Sequence, residues 1–373
     1  MVELPTKKLD LFLEAAKYIV SAPLYEFSLK TGYVITKPIS FAIYLSSNCN
    51  LNCPFCYAVK DQMLEKFTLE DVLKIVDRFS DWGVKQVTLT GGEPLLFGGL
   101  YDLLKHIKEK GMSVGFSTNG VLWSEAFIKD ICKIGVDRVS ISIDGLEKTH
   151  DEIRGKGTFK KAVKTLEKLS GMSKKYGSPR LIINTIILDQ NIEELAELFF
   201  LAKRYNASLN LMPLTLPENT DMFNKRERKL IEKRFWVKKE RLALLEKKLD
   251  EIKQLKIKYG CVLNFDTFLE LLKSYYRNPN KNHIDCKKGV YDFSTIFPNG
   301  LFAPCFLTGA IGNLKNEEPK KIWFSKKYSK VVMDMKGCKK CLANCYYTPT
   351  YSDLLKDFLI YPILRKVRIF HSL

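Results

Sequence analysis

Ser47-Asn48-Cys49-Asn50-Leu51-Asn52-Cys53-Pro54-Phe55-Cys56-Tyr57 follows the apolar run Phe41-Ala42-Ile43-Tyr44-Leu45. The run reads as a buried strand, and the loop after it carries Cys-x3-Cys-x2-Cys. Soft thiolates suit iron–sulfur clusters, and three on one loop can hold three irons of a [4Fe–4S] cube, leaving the fourth iron open. Zinc, the alternative, wants four ligands in paired knuckles. No fourth ligand lies nearby, and the next cysteine is Cys132.

Outward from this loop, residues 41–214 repeat strand, loop and helix. The apolar runs predict strands at Ala42–Ser46, Gln86–Thr90, Ser113–Ser117, Arg138–Ile143, Leu181–Leu188 and Ser208–Pro213. Thr68 and Asp71 read as a capping pair before a helix over Leu69–Trp82. Asn191 reads as the cap before Glu193–Tyr205. Strands separated by helical crossovers mean a parallel sheet. Six units are fewer than a full eight-fold barrel.

Thr90-Gly91-Gly92-Glu93-Pro94 closes the second strand. Paired glycines let backbone approach a ligand, with no Cβ in the way. Their carbonyls and Glu93 suit an ammonium group. Ser117-Thr118-Asn119-Gly120 and Ser140-Ile141-Ser142-Ile143-Asp144-Gly145 end the third and fourth strands, where parallel α/β folds place ligands.

The cysteine loop followed by Gly91-Gly92-Glu93-Pro94 resembles the radical S-adenosylmethionine (SAM) superfamily. That resemblance implies an α/β fold, a partial TIM-like (β/α)6 barrel over 41–221. It implies that Cys49, Cys53 and Cys56 hold a [4Fe–4S] cluster whose open iron chelates SAM. It sets Phe55 near the adenine, Gly91, Gly92, Glu93 and Pro94 at the amino group, and Ser117 at the third strand's end. Ser142 and Arg154 would grip the carboxylate, since a guanidinium meets a carboxylate with two parallel hydrogen bonds. Asn184 is a further candidate on the fifth strand. The implied chemistry is reductive cleavage of SAM to methionine and a 5′-deoxyadenosyl radical that takes hydrogen from an unactivated carbon. An electron donor such as ferredoxin or flavodoxin is the implied partner.

Cys286-x13-Gly300-x4-Cys305 and Cys338-x2-Cys341-x3-Cys345 form a second group. This spacing resembles the SPASM/twitch extension that follows such barrels. A full extension carries more cysteines and two clusters. The five here imply a small cysteine-rich domain over 264–350 with one auxiliary [4Fe–4S] cluster, held by Cys286, Cys305 and two of Cys338, Cys341 and Cys345. Phe306 stands where the sulfatase-maturing branch has an aspartate, which argues against that activity. No general base is assigned. His150 and His283 are candidates for proton transfer only because they lie near motif residues. Cys132 and Cys261 read as core thiols.

Composition bounds the rest. The chain has 373 residues, 46% hydrophobic and 27% charged, and reads as globular. Clustered cysteines and no secretory signal point to a reducing cytoplasm. A net charge of +18 implies anionic partners. Residues 1–40 carry an amphipathic stripe from Leu9 to Val20, and residues 222–263 form a basic helical linker. The tail at 351–373 is apolar with Arg365, Lys366 and Arg368. It is too interrupted to span a bilayer, which needs about 20 apolar residues, but suits lying on the cytoplasmic face of an anionic membrane. These segments favour a membrane-associated amphiphile, a lipid or its head group, as substrate. A ribosomally made peptide or protein is the alternative, although no separate leader-gripping domain is expected ahead of residue 41. An iron–sulfur protein that binds nucleic acid without chemistry explains the glycine turn least well.

Overall fold

Alternating apolar residues build the sheet. The computed structural model describes residues 23–28, 30–56, 67–216, 224–279, 292–305, 307–335, 338, 341–342 and 351–370. Six parallel strands follow one another: β1 (Ser40–Tyr44), β2 (Gln86–Thr90), β3 (Ser113–Thr118), β4 (Arg138–Ser142), β5 (Arg180–Ile187) and β6 (Ala207–Pro213). They lie side by side in chain order, from β6 at one edge back to β1. Phe41, Ile43, Val87, Leu89, Val139, Ile141, Leu209 and Leu211 are buried. The expected partial barrel is the observed one.

Helices cover the outside, and their local chemistry explains where they start. Thr68 caps α1 (Leu69–Asp81): its hydroxyl accepts from the Asp71 N–H while the Asp71 carboxylate accepts from the Thr68 N–H. Further along lie α2 (Leu100–Glu109), α3 (Glu125–Lys133), α4 (Glu147–Arg154), α5 (Thr158–Tyr176) and α6 (Leu195–Arg204).

Two of the differences from the sequence reading bear on the site. The first strand ends at Tyr44, not Ser46. Beyond Tyr44 the backbone is taken up by the glycine turn: Leu45 N–H donates to the Thr90 carbonyl, and the Ser46 carbonyl accepts from Gly92 N–H. Asn191 stands at a helix start, but its side chain makes no cap bond. Its amide instead donates to the Asp144 and Ile186 carbonyls and accepts from Leu188 N–H.

The basic segment after β6 is two helices, α7 (Lys225–Phe235) and α8 (Leu242–Tyr259), parted at Trp236–Lys238. With α9 (Asp266–Arg277) they pack on the β6 side. Asn264 bonds both the N–H and the carbonyl of Leu211, and the Tyr276 hydroxyl donates to the Ile187 carbonyl. The chain then returns to the other edge. There β7 (Asp292–Ile296) pairs parallel with β1, followed by the short antiparallel β8 (Leu301–Phe302) and β9 (Gly312–Asn313). Helices α10 (Pro319–Trp323) and α11 (Lys326–Met335) follow. The C-terminal helix consists of α12 (Tyr351–Leu355), a π-turn at Lys356–Ile360 and α13 (Tyr361–Phe370). Among the described residues no helix is long and apolar enough to cross a membrane. The N-terminal stripe from Leu9 to Val20 lies outside the described residues.

Candidate active site

A cleft of about 210 Å³ opens at the C-terminal ends of the strands. Its wall includes Cys49, Cys53, Cys56, Phe55, Gly91, Gly92, Ser117, Ser142 and Arg154, with Tyr44, Thr90, Asn119 and Ile186 among the rest. Residues from six separate stretches of sequence thus converge. Glu93 and Pro94 are not on that wall.

The glycine turn carries the cysteine loop. Gly92 N–H donates to the Ser46 carbonyl at 2.6 Å, and Glu93 N–H to the Asn48 carbonyl at 2.8 Å. A Cβ on Gly92 would stand 2.0 Å from the Asn48 carbonyl oxygen, and one on Gly91 2.4 Å from that of Ser46. The close approach that requires glycine is therefore to this chain's own loop.

Glu93 lies beneath the cleft, 2% exposed. Its carboxylate accepts from the Thr118 hydroxyl at 2.8 Å, the Asn119 N–H at 2.7 Å and the Leu95 N–H at 3.2 Å. Burial raises its pKa, and those three donors work against the rise. With its oxygens engaged, Glu93 locks the glycine turn to the end of β3. It stands behind the cleft wall rather than on it. Asn119 continues the brace: its amide donates to Asn50 Oδ1 at 2.8 Å and points at Cys49 Sγ at 3.8 Å.

Arg154 is the last residue of α4. Its Nε donates to Asp144 Oδ2 at 2.6 Å, and its Nη1 lies 4.0 Å from Cys53 Sγ. Burial disfavours the charge on Arg154, but Asp144 outweighs it and holds the guanidinium protonated. Asp144 Oδ1 accepts from Ile186 N–H at 2.8 Å. Ser142 pairs in register with Asn184, whose side-chain oxygen accepts from the Asn210 amide at 2.9 Å. His150 is fully buried behind Asp144, off the cleft wall, and its Nδ1 accepts from Asp144 N–H. Burial, then the Arg154 charge, pushes its pKa down to about 4. It stays neutral near pH 7 and props the end of β4. His283 lies outside the described residues.

The donor set fits an iron–sulfur cube. Burial pushes the Cys53 thiol up to about 11 and raises Cys49, so free thiols there are protonated and a metal must displace the protons. Arg154 opposes the shift at Cys53, and Leu51 N–H, 3.4 Å from Cys49 Sγ, opposes it at Cys49. Hydrogen bonds to sulfur are one way a protein tunes such clusters. Among the described residues no three His, Cys, Asp or Glu gather as a single metal ion requires.

At the second group Cys305 is buried, and Leu307 N–H lies 3.4 Å from its Sγ, the same relation as at Cys49. Cys305 packs with Met335 and with Cys341, and Cys338 is half-buried. Cys341 also influences Tyr275 of α9, whose phenol is raised first by burial and then by that sulfur. Cys286, Cys345 and Phe306 lie outside the described residues. Cys132 is a buried thiol of α3, and Cys261 is half-buried.

The residues that sequence reasoning left without a role are Asp144 and Asn119. Both stood in quoted strand-end motifs, but Asn119 meets Asn50 from 69 residues away and Asp144 meets Ile186 from 42.

Comparison with known proteins agrees with this geometry. The radical SAM superfamily profile matches residues 43–202, and an iron–sulfur cluster-binding domain profile, SPASM, matches residues 286–346. The sporulation killing factor maturation protein SkfB of Bacillus subtilis (strain 168) is 36% identical over 135 residues, which is 36% of this chain and 33% of SkfB. GTP 3′,8-cyclase of Clostridium perfringens (strain SM101 / Type A) is 33% identical over 183 residues, 46% of this chain and 54% of the cyclase. The matches thus span between a third and about half of these relatives. The crystal structure of Streptococcus suis SuiB bound to precursor peptide SuiA superposes with a TM-score of 0.63 at 16% identity. It covers 85% of this chain and 72% of SuiB, a likeness of fold.

Proposed function

Because the chain belongs to the radical SAM superfamily and carries a SPASM extension, we propose that it cleaves SAM reductively in the cleft described above and modifies a ribosomally made peptide. The observation that carries the first half is the convergence of three cysteines, Gly91-Gly92, Ser117, Ser142 and Arg154 on one cavity.

Cys49, Cys53 and Cys56 hold the [4Fe–4S] cluster. Cys305 and Cys341, with Cys286 and Cys338 or Cys345, hold the auxiliary one. When bound, the cluster and SAM supply a one-electron cleavage to methionine and a 5′-deoxyadenosyl radical that abstracts hydrogen. The chain's own residues bind, orient and shield. Arg154, held by Asp144, and Ser142 take the SAM carboxylate. The Gly91 and Gly92 carbonyls take the amino group. Phe55, set edge-on to Phe235 at 5.4 Å, walls the adenine side and keeps water out. Glu93 and Pro94 act from behind, by fixing the turn. Ferredoxin or flavodoxin delivers the electron in a reducing cytoplasm.

For the substrate, SkfB is a maturation protein and SuiB crystallises with a precursor peptide. Both favour a peptide over the lipid or head group that the basic and apolar segments suggested. The lipid reading keeps one observation in its favour, the exposed apolar face of the C-terminal helix taken up below. Peripheral contact with an anionic membrane belongs to this proposal as a location.

The test is anaerobic. Reconstituted protein with dithionite and SAM forms 5′-deoxyadenosine, and Cys53→Ala forms none. Adding peptides encoded beside the gene yields a product of altered mass. A product found only in the lipid fraction reverses the choice of substrate.

A further inference from the structure

The C-terminal helix is turned inside out. Its two aspartates and Tyr361 face the protein. Asp353 accepts from the Thr267 N–H at 3.2 Å and its hydroxyl at 2.8 Å. Asp357 pairs with Lys256 at 2.6 Å, and the Tyr361 hydroxyl donates to Asp266. Lys256, 2% exposed, also reaches Asp266 at 3.2 Å and the Asn264 carbonyl at 2.9 Å. The opposite side is aliphatic and open: Leu355, Leu359, Ile360, Ile363 and Leu364 are 39% to 58% exposed. A surface helix ordinarily does the reverse, with its apolar stripe inward. Here a buried ionic clasp fixes the helix with leucine and isoleucine outward.

We propose that this face docks the protein on an anionic membrane, with the helix lying in the plane of the head groups. Three observations select that occupant. Among the described residues its exposed large side chains are all aliphatic, whereas protein interfaces draw on Tyr, Trp and Arg anchors within a polar rim. Cations flank it: Arg365 bonds the Ile257 carbonyl at 3.3 Å, and both Arg365 and Lys203 act on the Cys261 thiol. Lys203 and Lys258 are exposed beside Tyr259, whose ring also meets the half-exposed Phe200. The chain as a whole carries +18, and apolar burial and basic residues add their attractions at such a surface. The inference goes beyond the substrate reading, because it holds whether the substrate is peptide or lipid.

The test uses the full chain with vesicles of mixed phosphatidylcholine and phosphatidylglycerol, and with phosphatidylcholine alone. The protein sediments with the mixed vesicles. The double variant Leu359→Glu/Ile363→Glu binds them at least about tenfold more weakly, with its melting temperature unchanged. Leu230→Glu, at an exposed leucine of α7, binds as the parent does. In a second variant, Ile363→Trp, brominated lipid chains quench the new fluorescence. The proposal is overturned if the parent stays in solution with both vesicle types, if the double variant sediments equally well, or if the new tryptophan is not quenched. It also falls if the double variant splits a dimer that binds no vesicles, which assigns the face to a second copy. Binding gained only on removal of residues 1–22 overturns it too, since the face would then belong to the chain's own N-terminal segment.

Discussion

Arg154 donates from Nε to Asp144 Oδ2 at 2.6 Å, and the Asp144 side chain has no exposed surface. The guanidinium reaches the cleft with one edge spent on this bond. Its remaining N–H groups are thereby aimed. Asp144→Asn removes the charge and leaves Arg154 buried without its partner, a change that costs about 3 kcal/mol or more. The expected outcome is a lower urea midpoint and a SAM dissociation constant raised about tenfold, read by calorimetry. Arg154→Lys keeps charge but not the fork, and loses SAM affinity with a smaller stability loss.

The two glycines make a separate prediction. Gly92→Ala drives a methyl into the Asn48 carbonyl, whereas Gly98 has nothing within 4 Å of where a Cβ would stand. Overpacking against backbone costs about 1–3 kcal/mol. Gly92→Ala is therefore expected to melt earlier and to hold less iron after reconstitution. Gly98→Ala matches the parent in both measurements.

Much of this site was legible in the sequence. The spacing of Cys49, Cys53 and Cys56, the glycine pair and the strand-end serines stand in order along the chain, and periodicity gave the six strands. The roles of Asp144, Asn119 and Glu93 were hidden, because each is defined by a partner across the fold rather than by a neighbour. Arg154 lies ten residues from Asp144, but Asn119 lies 69 from Asn50. The inward polar side of the tail was hidden for the same reason. Its aspartates and tyrosine find Lys256, Asp266 and Thr267 about 90 residues upstream, so the polar side turns inward.

His150 makes stability depend on pH. Its folded pKa is about 4, against 6.5 for an ordinary histidine. Between those values the unfolded chain binds the proton and the folded one does not, so stability rises with pH through that window. Acidifying from about pH 6.5 to pH 4 removes up to about 3 kcal/mol. Urea midpoints measured across this range show the slope, and His150→Gln flattens it while lowering stability near neutrality.

Removing a cluster ligand separates the two sites. The loaded protein is expected to hold about eight irons per chain, four at each cluster. Cys305→Ala drops the count to about half and leaves SAM cleavage to 5′-deoxyadenosine intact. Cys53→Ala drops it equally but abolishes cleavage. Iron analysis beside product chromatography distinguishes the pair, and equal loss of cleavage in both variants refutes the division of labour.

The clasp under the C-terminal helix rests on one ammonium. Lys256 stands between Asp266 and Asp357, and Asp353 lies close enough to influence both Asp357 and Tyr361. Burial raises the Asp357 pKa, Lys256 works against the rise, and the other two aspartates add to it. Lys256→Met keeps the length of the side chain but leaves the carboxylates facing one another in a buried place. Losing one partner of a buried pair costs about 3–5 kcal/mol, so the helix is expected to detach before the barrel unfolds. Limited proteolysis then cuts the variant near residue 350 at a protease level that leaves the parent whole. Leu359→Glu, on the open side of the same helix, leaves the digestion pattern unchanged, since that side chain takes no part in the clasp.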